Sequence, residues 1–226
     1  MLYNEPSSEV PPPSTYLDAA HVWQEDPDHN IPEDERRTIC AIACMKIVLD
    51  YIDPQKAKEI SLHRMFTEMQ AAGAQNEQRY WKHSGQVTYL TDLGLMSWRR
   101  NWLAPSQDPQ YFADNEGYSA AQLSRVAEQI QAEEWDNGDV DKIMLQSLQK
   151  SFDADCPVIV SVKPGFSNNK QDHQVVLNGY EEDSEGRWLY FVDPALPPEQ
   201  HQDKQKVSLD RFLEYSKHLA IFVTKP

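Results

Sequence analysis

Thr38-Ile39-Cys40-Ala41-Ile42-Ala43-Cys44-Met45-Lys46-Ile47-Val48-Leu49-Asp50-Tyr51-Ile52-Asp53-Pro54 is the stretch from which the fold is read. Cys40, Ala43, Cys44, Ile47, Val48 and Tyr51 recur at three- and four-residue steps, forming one apolar stripe of an amphipathic helix. Thr38 stands where an N-cap belongs, and Asp53-Pro54 ends the helix. Cys40 therefore falls in the first turn, beside unpaired backbone N–H groups and the positive end of the helix dipole, both of which favour a thiolate. The same position also suits a core cysteine, because free cysteine is among the most buried residue types. Cys44, one turn deeper, and Cys156, ahead of an apolar run, read as structural.

Upstream, residues 1–36 hold six of the fifteen prolines and several acidic clusters, with His21-Val22-Trp23-Gln24 as the one apolar anchor. They read as an N-terminal arm. Downstream, periodicity predicts helices over residues 55–72, 84–93, 119–134 and 140–152, with a strand over 95–102. The last third changes character. Pro157-Val158-Ile159-Val160-Ser161-Val162 is a β-branched run typical of a buried strand. Residues 173–180 and 187–193 read as a hairpin around the polar loop 181–186, followed by a short helix at 209–215 and a strand at 219–224. Helices first and sheet second make the class α+β, with an antiparallel sheet.

That hairpin supplies what a cysteine nucleophile needs, a base for its proton and a group to orient the base. A turn centred between Tyr180 and Gly186 sets His173 opposite Asp193. Alone, His173 is a strand-end histidine and Asp193-Pro194 a strand terminator; together with a cysteine at a helix start they make a triad. His173 follows Cys40 by 133 positions, within the ~130–150 of papain-type enzymes.

Composition narrows the classes. With 36 acidic against 21 basic side chains the net charge is −15 in 226 residues, which argues against nucleic acid or an anionic membrane as partner. No run is long enough to span a bilayer and no secretory signal is visible, so the expected location is cytoplasmic. Three cysteines make no disulfide framework, the eight glycines form neither a phosphate loop nor a nucleophile elbow, and no metal-ligand spacing occurs. No cofactor is expected.

At Cys40–Tyr51, Pro157-Val158-Ile159-Val160, His173-Gln174-Val175-Val176-Leu177-Asn178-Gly179-Tyr180 and Asp193-Pro194, the chain resembles the papain-like cysteine peptidases of family thirty-nine, the bacteriocin-leader-processing peptidases and their relatives. The likeness covers roughly residues 20–226. It implies a papain-like fold, with an N-terminal helical part carrying the Cys40 helix and a C-terminal antiparallel sheet, residues 37–226 being one catalytic domain behind the arm. It also implies Cys40 as nucleophile, His173 as general base and then acid, and Asp193 as the residue orienting the imidazole. The oxyanion hole would combine the Cys40 N–H with a side-chain donor upstream. Many relatives carry that donor about six residues before the cysteine, where this chain has Asp34. An ionised aspartate cannot donate, so Gln24 is the preferred candidate, against its plain reading as a surface glutamine. Two departures stand out: Ala41 and Ile42 replace the family's Gly-Pro and add bulk beside the thiol. Tyr80-Trp81-Lys82-His83 is a candidate cleft-lining segment, with His83 itself read as a surface histidine at a helix start.

Three functions stay open at this point. A cysteine hydrolase would cleave an amide, in a peptide or protein substrate. A papain-like acyltransferase would pass the same acyl group to an amine. A catalytically silent domain would bind a peptide or partner protein. The paired-glycine preference of the bacteriocin peptidases is not carried over.

Overall fold

In the computed structural model, which describes residues 14–102, 137–169 and 171–225, the decisive stretch is helix α2 (Cys40–Ile52). Its start differs from the expectation. Ile39 occupies the cap position with no side-chain cap, because the Thr38 hydroxyl donates to the Glu35 carbonyl at 2.8 Å instead. Cys40 is thus the first helical residue. Nor is α2 a one-sided amphipathic helix: Ala41, Ile42, Ala43, Cys44, Met45, Ile47, Val48, Leu49 and Ile52 are all buried, and the Lys46–Asp50 ion pair marks its polar edge. A helix apolar nearly all round belongs at a domain's centre.

A short helix, α1 (Glu33–Arg36), precedes it. The pattern expected as one helix over 55–72 is two, α3 (Pro54–Glu59) and α4 (Leu62–Ala71). Ser61 breaks it by accepting the Arg64 N–H at 3.1 Å, a side-chain N-cap. Next come α5 (His83–Asp92) and the edge strand β2 (Met96–Asn101). The helix expected over 119–134 lies outside the described residues, as do residues 1–13 of the arm. Helix α6 (Asn137–Asp153) leads to β3 (Val158–Val162), β4 (His173–Asp183), β5 (Gly186–Val192), β6 (Lys206–Ser208), α7 (Leu209–Tyr215) and β7 (Ser216–Thr224).

The strands form one antiparallel sheet in the order β2-β7-β3-β4-β5-β6. Strand β1 (Ser14–Tyr16) joins the β4 edge beyond the end of β3. Tyr16 there lies opposite Gly179, where a Cβ would stand 2.1 Å from the Thr15 carbonyl oxygen. No other residue fits so close a backbone approach.

Both faces of the sheet are covered, which is why its central strands read as unbroken apolar runs. Ile159, Val176, Ile221 and Val223 pack with α2 to α5. The alternate residues Val158, Val160, Val175, Leu177 and Phe222 pack with α6 and α7. The β4–β5 hairpin is tighter than expected. Its strands run to Asp183 and restart at Gly186, and Asp183 Oδ1 holds the turn by accepting from the Glu185 N–H (2.8 Å), the Gly186 N–H (3.0 Å) and Trp188 Nε1–H (3.2 Å). A bulge at Asn178 then shifts the register, so Val176 faces Val192 and Asp193 stands diagonal to His173 rather than opposite it.

Candidate active site

One cleft of about 660 Å³ runs between the tip of α2 and the end of the sheet, lined among others by Gln24, Cys40, Ala41, His173 and Asp193. Cys40 is part-exposed there. Because it opens α2, the backbone N–H groups of the first turn, unpaired within the helix, surround it. Ala41 is buried and lines the cleft beside it, whereas Ile42 turns wholly into the core. The bulk expected from both departures thus falls on the site at Ala41 alone.

His173 opens β4 and is 7 % exposed. Its Nε2 lies 2.7 Å from Asp193 Oδ1, so Nε2–H donates to the carboxylate. Cys40 acts on the same ring, and Nδ1 is the ring nitrogen that the Asp193 contact leaves for it. Burial alone would push this imidazole down. The hydrogen bonds to Asp193 and Cys40, with the charges of both, outweigh it and raise it to about 10.

Asp193 is held from behind. Its Oδ1 also accepts the Ala195 N–H at 2.9 Å, and its carbonyl accepts from His21 Nε2 at 3.2 Å. His21 stacks on His201 with centroids 4.2 Å apart, and burial followed by that neighbour lowers its basicity. Three residues on, the Gln24 N–H donates to the Pro194 carbonyl at 2.9 Å. Residues 21–24 are therefore stitched to the Asp193-Pro194 corner, which brings Gln24 to the cleft from sixteen positions before Cys40. Its side chain is 3 % exposed and its Oε1 has no hydrogen-bond partner. A surface glutamine it is not. Asp34 sits on α1 with an exposed carboxylate 3.8 Å from Arg79 and does not line the cleft.

His83 corrects the sequence reading. It is 7 % exposed rather than on the surface, and its Nε2 lies 2.9 Å from Ser161 Oγ. Burial, joined by the Arg99 charge and opposed by Asp172, holds it down at about 4. Both residues line the cleft, as do Trp81 and Gln174. The available signal was Ser161, the lone polar residue in an apolar strand; its partner 78 positions away leaves no local trace. Cys44 is fully buried, and burial, with the charges of Cys40 and Asp193, pushes its thiol well up. Cys156 donates to the Ala154 carbonyl at 3.3 Å and is likewise pushed up by burial.

A central helix whose tip presents a cysteine, set against an antiparallel sheet that presents a histidine and a carboxylate, defines the papain-like class of α+β fold. The family model described as Peptidase_C39 like family matches residues 16–219, and the chain belongs to that family. No curated protein matches the sequence. Among solved structures, the crystal structure of UfSP from C. elegans is similar with a TM-score of 0.47 and 10 % identity. That alignment covers 99 % of this chain and 35 % of the UfSP chain, so the chain spans about a third of that relative's length. Among the described residues, no helix is long and apolar enough to cross a membrane.

Proposed function

We propose that this chain is a cysteine-dependent hydrolase that cleaves a peptide or amide bond through an acyl-enzyme. The observation that carries this reading is one imidazole set between two partners in a single cleft, with His173 Nε2 2.7 Å from Asp193 Oδ1 and Cys40 acting on the same ring.

The chemistry follows from that arrangement. The thiol proton passes to His173 Nδ1, and the sulfur attacks the carbonyl carbon of the substrate. The carbonyl oxygen, now an oxyanion, takes hydrogen bonds from the Cys40 backbone N–H and the Gln24 side-chain amide. As the C–N bond breaks, the imidazolium returns its proton to the leaving amine, which leaves an acyl thioester on Cys40. Water attacks this ester with His173 as base, and the thiol is regenerated. Asp193 keeps the ring in the Nε2–H tautomer throughout, which leaves Nδ1 free to carry the moving proton. Water as acceptor makes the chain a hydrolase; an amine in its place makes it an acyltransferase.

The test is to trap the intermediate. Incubation with a panel of short peptide thioesters, quenched in acid and read by intact mass, is expected to show an acyl adduct on Cys40 that decays as free acid appears. An adduct that decays only when an amine is added indicates the transferase. If no adduct forms with any ester, the silent binding domain is favoured, and Ala41, which narrows the cleft beside the sulfur, is the observation on its side.

A further inference from the structure

Past Cys40 and His173 the cleft runs onto a patch that the hydrolytic scheme leaves unused. Ser161 of β3 and Gln174 of β4 are register partners, so their side chains leave the same face of the sheet. That is the face Ile159 and Val176 share with α2 to α5. His83 closes over the pair through its 2.9 Å contact with Ser161 Oγ, and Trp81 precedes it by two residues. All four line the cleft, and each is more than nine-tenths buried, with 4 % of Ser161, 6 % of Gln174, 6 % of Trp81 and 7 % of His83 exposed.

The patch is polar without being charged. Three of these side chains cannot ionise near neutrality, and His83, held at about 4, is a neutral imidazole there. Two atoms of opposite sense are buried without a partner, the donor Trp81 Nε1–H and the acceptor Gln174 Oε1. Such groups are rarely left unmade in a folded interior, and a cleft is where a ligand can complete them. An apolar ligand group leaves both unpaired. A charged one meets no counter-charge among the four residues. A primary carboxamide, with one carbonyl acceptor and two N–H donors, is the uncharged group that offers a partner of each sense.

We propose that Trp81, His83, Ser161 and Gln174 form a side-chain pocket that takes the primary carboxamide of a glutamine or asparagine residue in the substrate. The proposal rests on the reading of this cleft as a peptide site. Gln174 and His173 line the same cleft, so the residue held there belongs to the peptide whose bond is under attack.

The experiment uses the full chain carrying Cys40→Ala and labelled with ¹⁵N. The indole N–H signal of Trp81, assigned through Trp81→Phe, is followed during titration with the N-acetyl N-methylamides of glutamine, norleucine and glutamate. The glutamine compound is expected to shift that signal saturably, and the other two to bind at least about tenfold more weakly, the usual consequence of losing one good hydrogen bond. Gln174→Met, similar in length and apolar, is expected to bring the glutamine compound down to the norleucine level. Should that variant fail to fold, Ser161→Ala is expected to weaken the glutamine compound several-fold. An indole signal that does not move, or equal affinities for the three compounds, overturns the proposal. No nucleophile is present, so this failure leaves the hydrolase reading standing; failure of Cys40 to react in the wild-type chain leaves the pocket's selectivity intact.

Discussion

His173 and Asp193 meet at 2.7 Å although the ladder does not set them opposite each other. With Val176 facing Val192, the position opposite Asp193 is that of Val175, and His173 lies two residues further along. Cβ atoms on such a diagonal are ~7–8 Å apart, within the reach of an imidazole. The contact therefore depends on the Asn178 bulge and on the Ala195 N–H and His21 ring that hold Asp193 in place.

Removing the carboxylate while keeping its shape tests that dependence. Asp193→Asn leaves a group that can donate to Nε2, which favours the wrong tautomer at Nδ1. Hydrolysis of a reporter ester or peptide by this variant is expected to fall about 10²–10⁴-fold in kcat. A decrease under threefold contradicts the role given to Asp193.

Gln24 is tested by its chemistry rather than its size. Gln24→Ala removes the side-chain donor and is expected to lower kcat about 10²–10³-fold with little change in KM, the signature of a contact made mainly in the transition state. Gln24→Glu, of the same length but without a donor, is expected to do no better. If Gln24→Glu retains wild-type kcat, the oxyanion donor lies elsewhere.

Two buried histidines give stability opposite slopes with pH. His83 is depressed from 6.5 to about 4, so between those values the unfolded chain binds the extra proton and stability is lost as pH falls, by on the order of 3 kcal/mol. His173 is raised from 6.5 to about 10, so its contribution is complete below 6.5 and is lost as pH rises toward 10. Urea unfolding is expected to show maximum stability near pH 6.5–7. In His83→Gln the loss between pH 6.5 and 4.5 is expected to shrink by about 2 kcal/mol. Identical acid limbs in the two proteins contradict the assignment.

Gly179 is the point where β1 touches β4, and an added Cβ would stand 2.1 Å from Thr15 O. Gly179→Ala is expected to displace β1, lower stability by about 2 kcal/mol or more, and speed proteolysis near residues 14–20. Unchanged proteolysis and stability would show that the strand is not held as described.

The Cys40 helix and the His173–Asp193 hairpin were legible because each carries its own local pattern, an apolar stripe in one and two β-rich runs in the other. What escaped depended on side chains reaching out of pattern. Thr38 looked like a cap, but its hydroxyl goes back to Glu35. Ile60 and Met65 continued an apolar periodicity across a real break, because only the Ser61 hydroxyl marks it. Glu181-Glu182-Asp183 looked like loop by charge, yet these residues are the outer end of β4, with the turn fastened by Asp183. His83 looked exposed because its partner, Ser161, arrives from a strand far along the chain. Gln24 was named for its chemistry, but the Pro194 carbonyl that anchors it shows only in three dimensions.

The central claim is that Cys40 reacts because His173 takes its proton. The most direct measurement is the rate at which iodoacetamide alkylates each cysteine of the native chain, read by peptide mass in wild type and in His173→Ala. The account predicts fast modification confined to Cys40, at least about tenfold slower in the variant, with Cys44 and Cys156 untouched because burial pushes their thiols up. A Cys40 that reacts no faster than a free thiol, or at the same rate without His173, would contradict it.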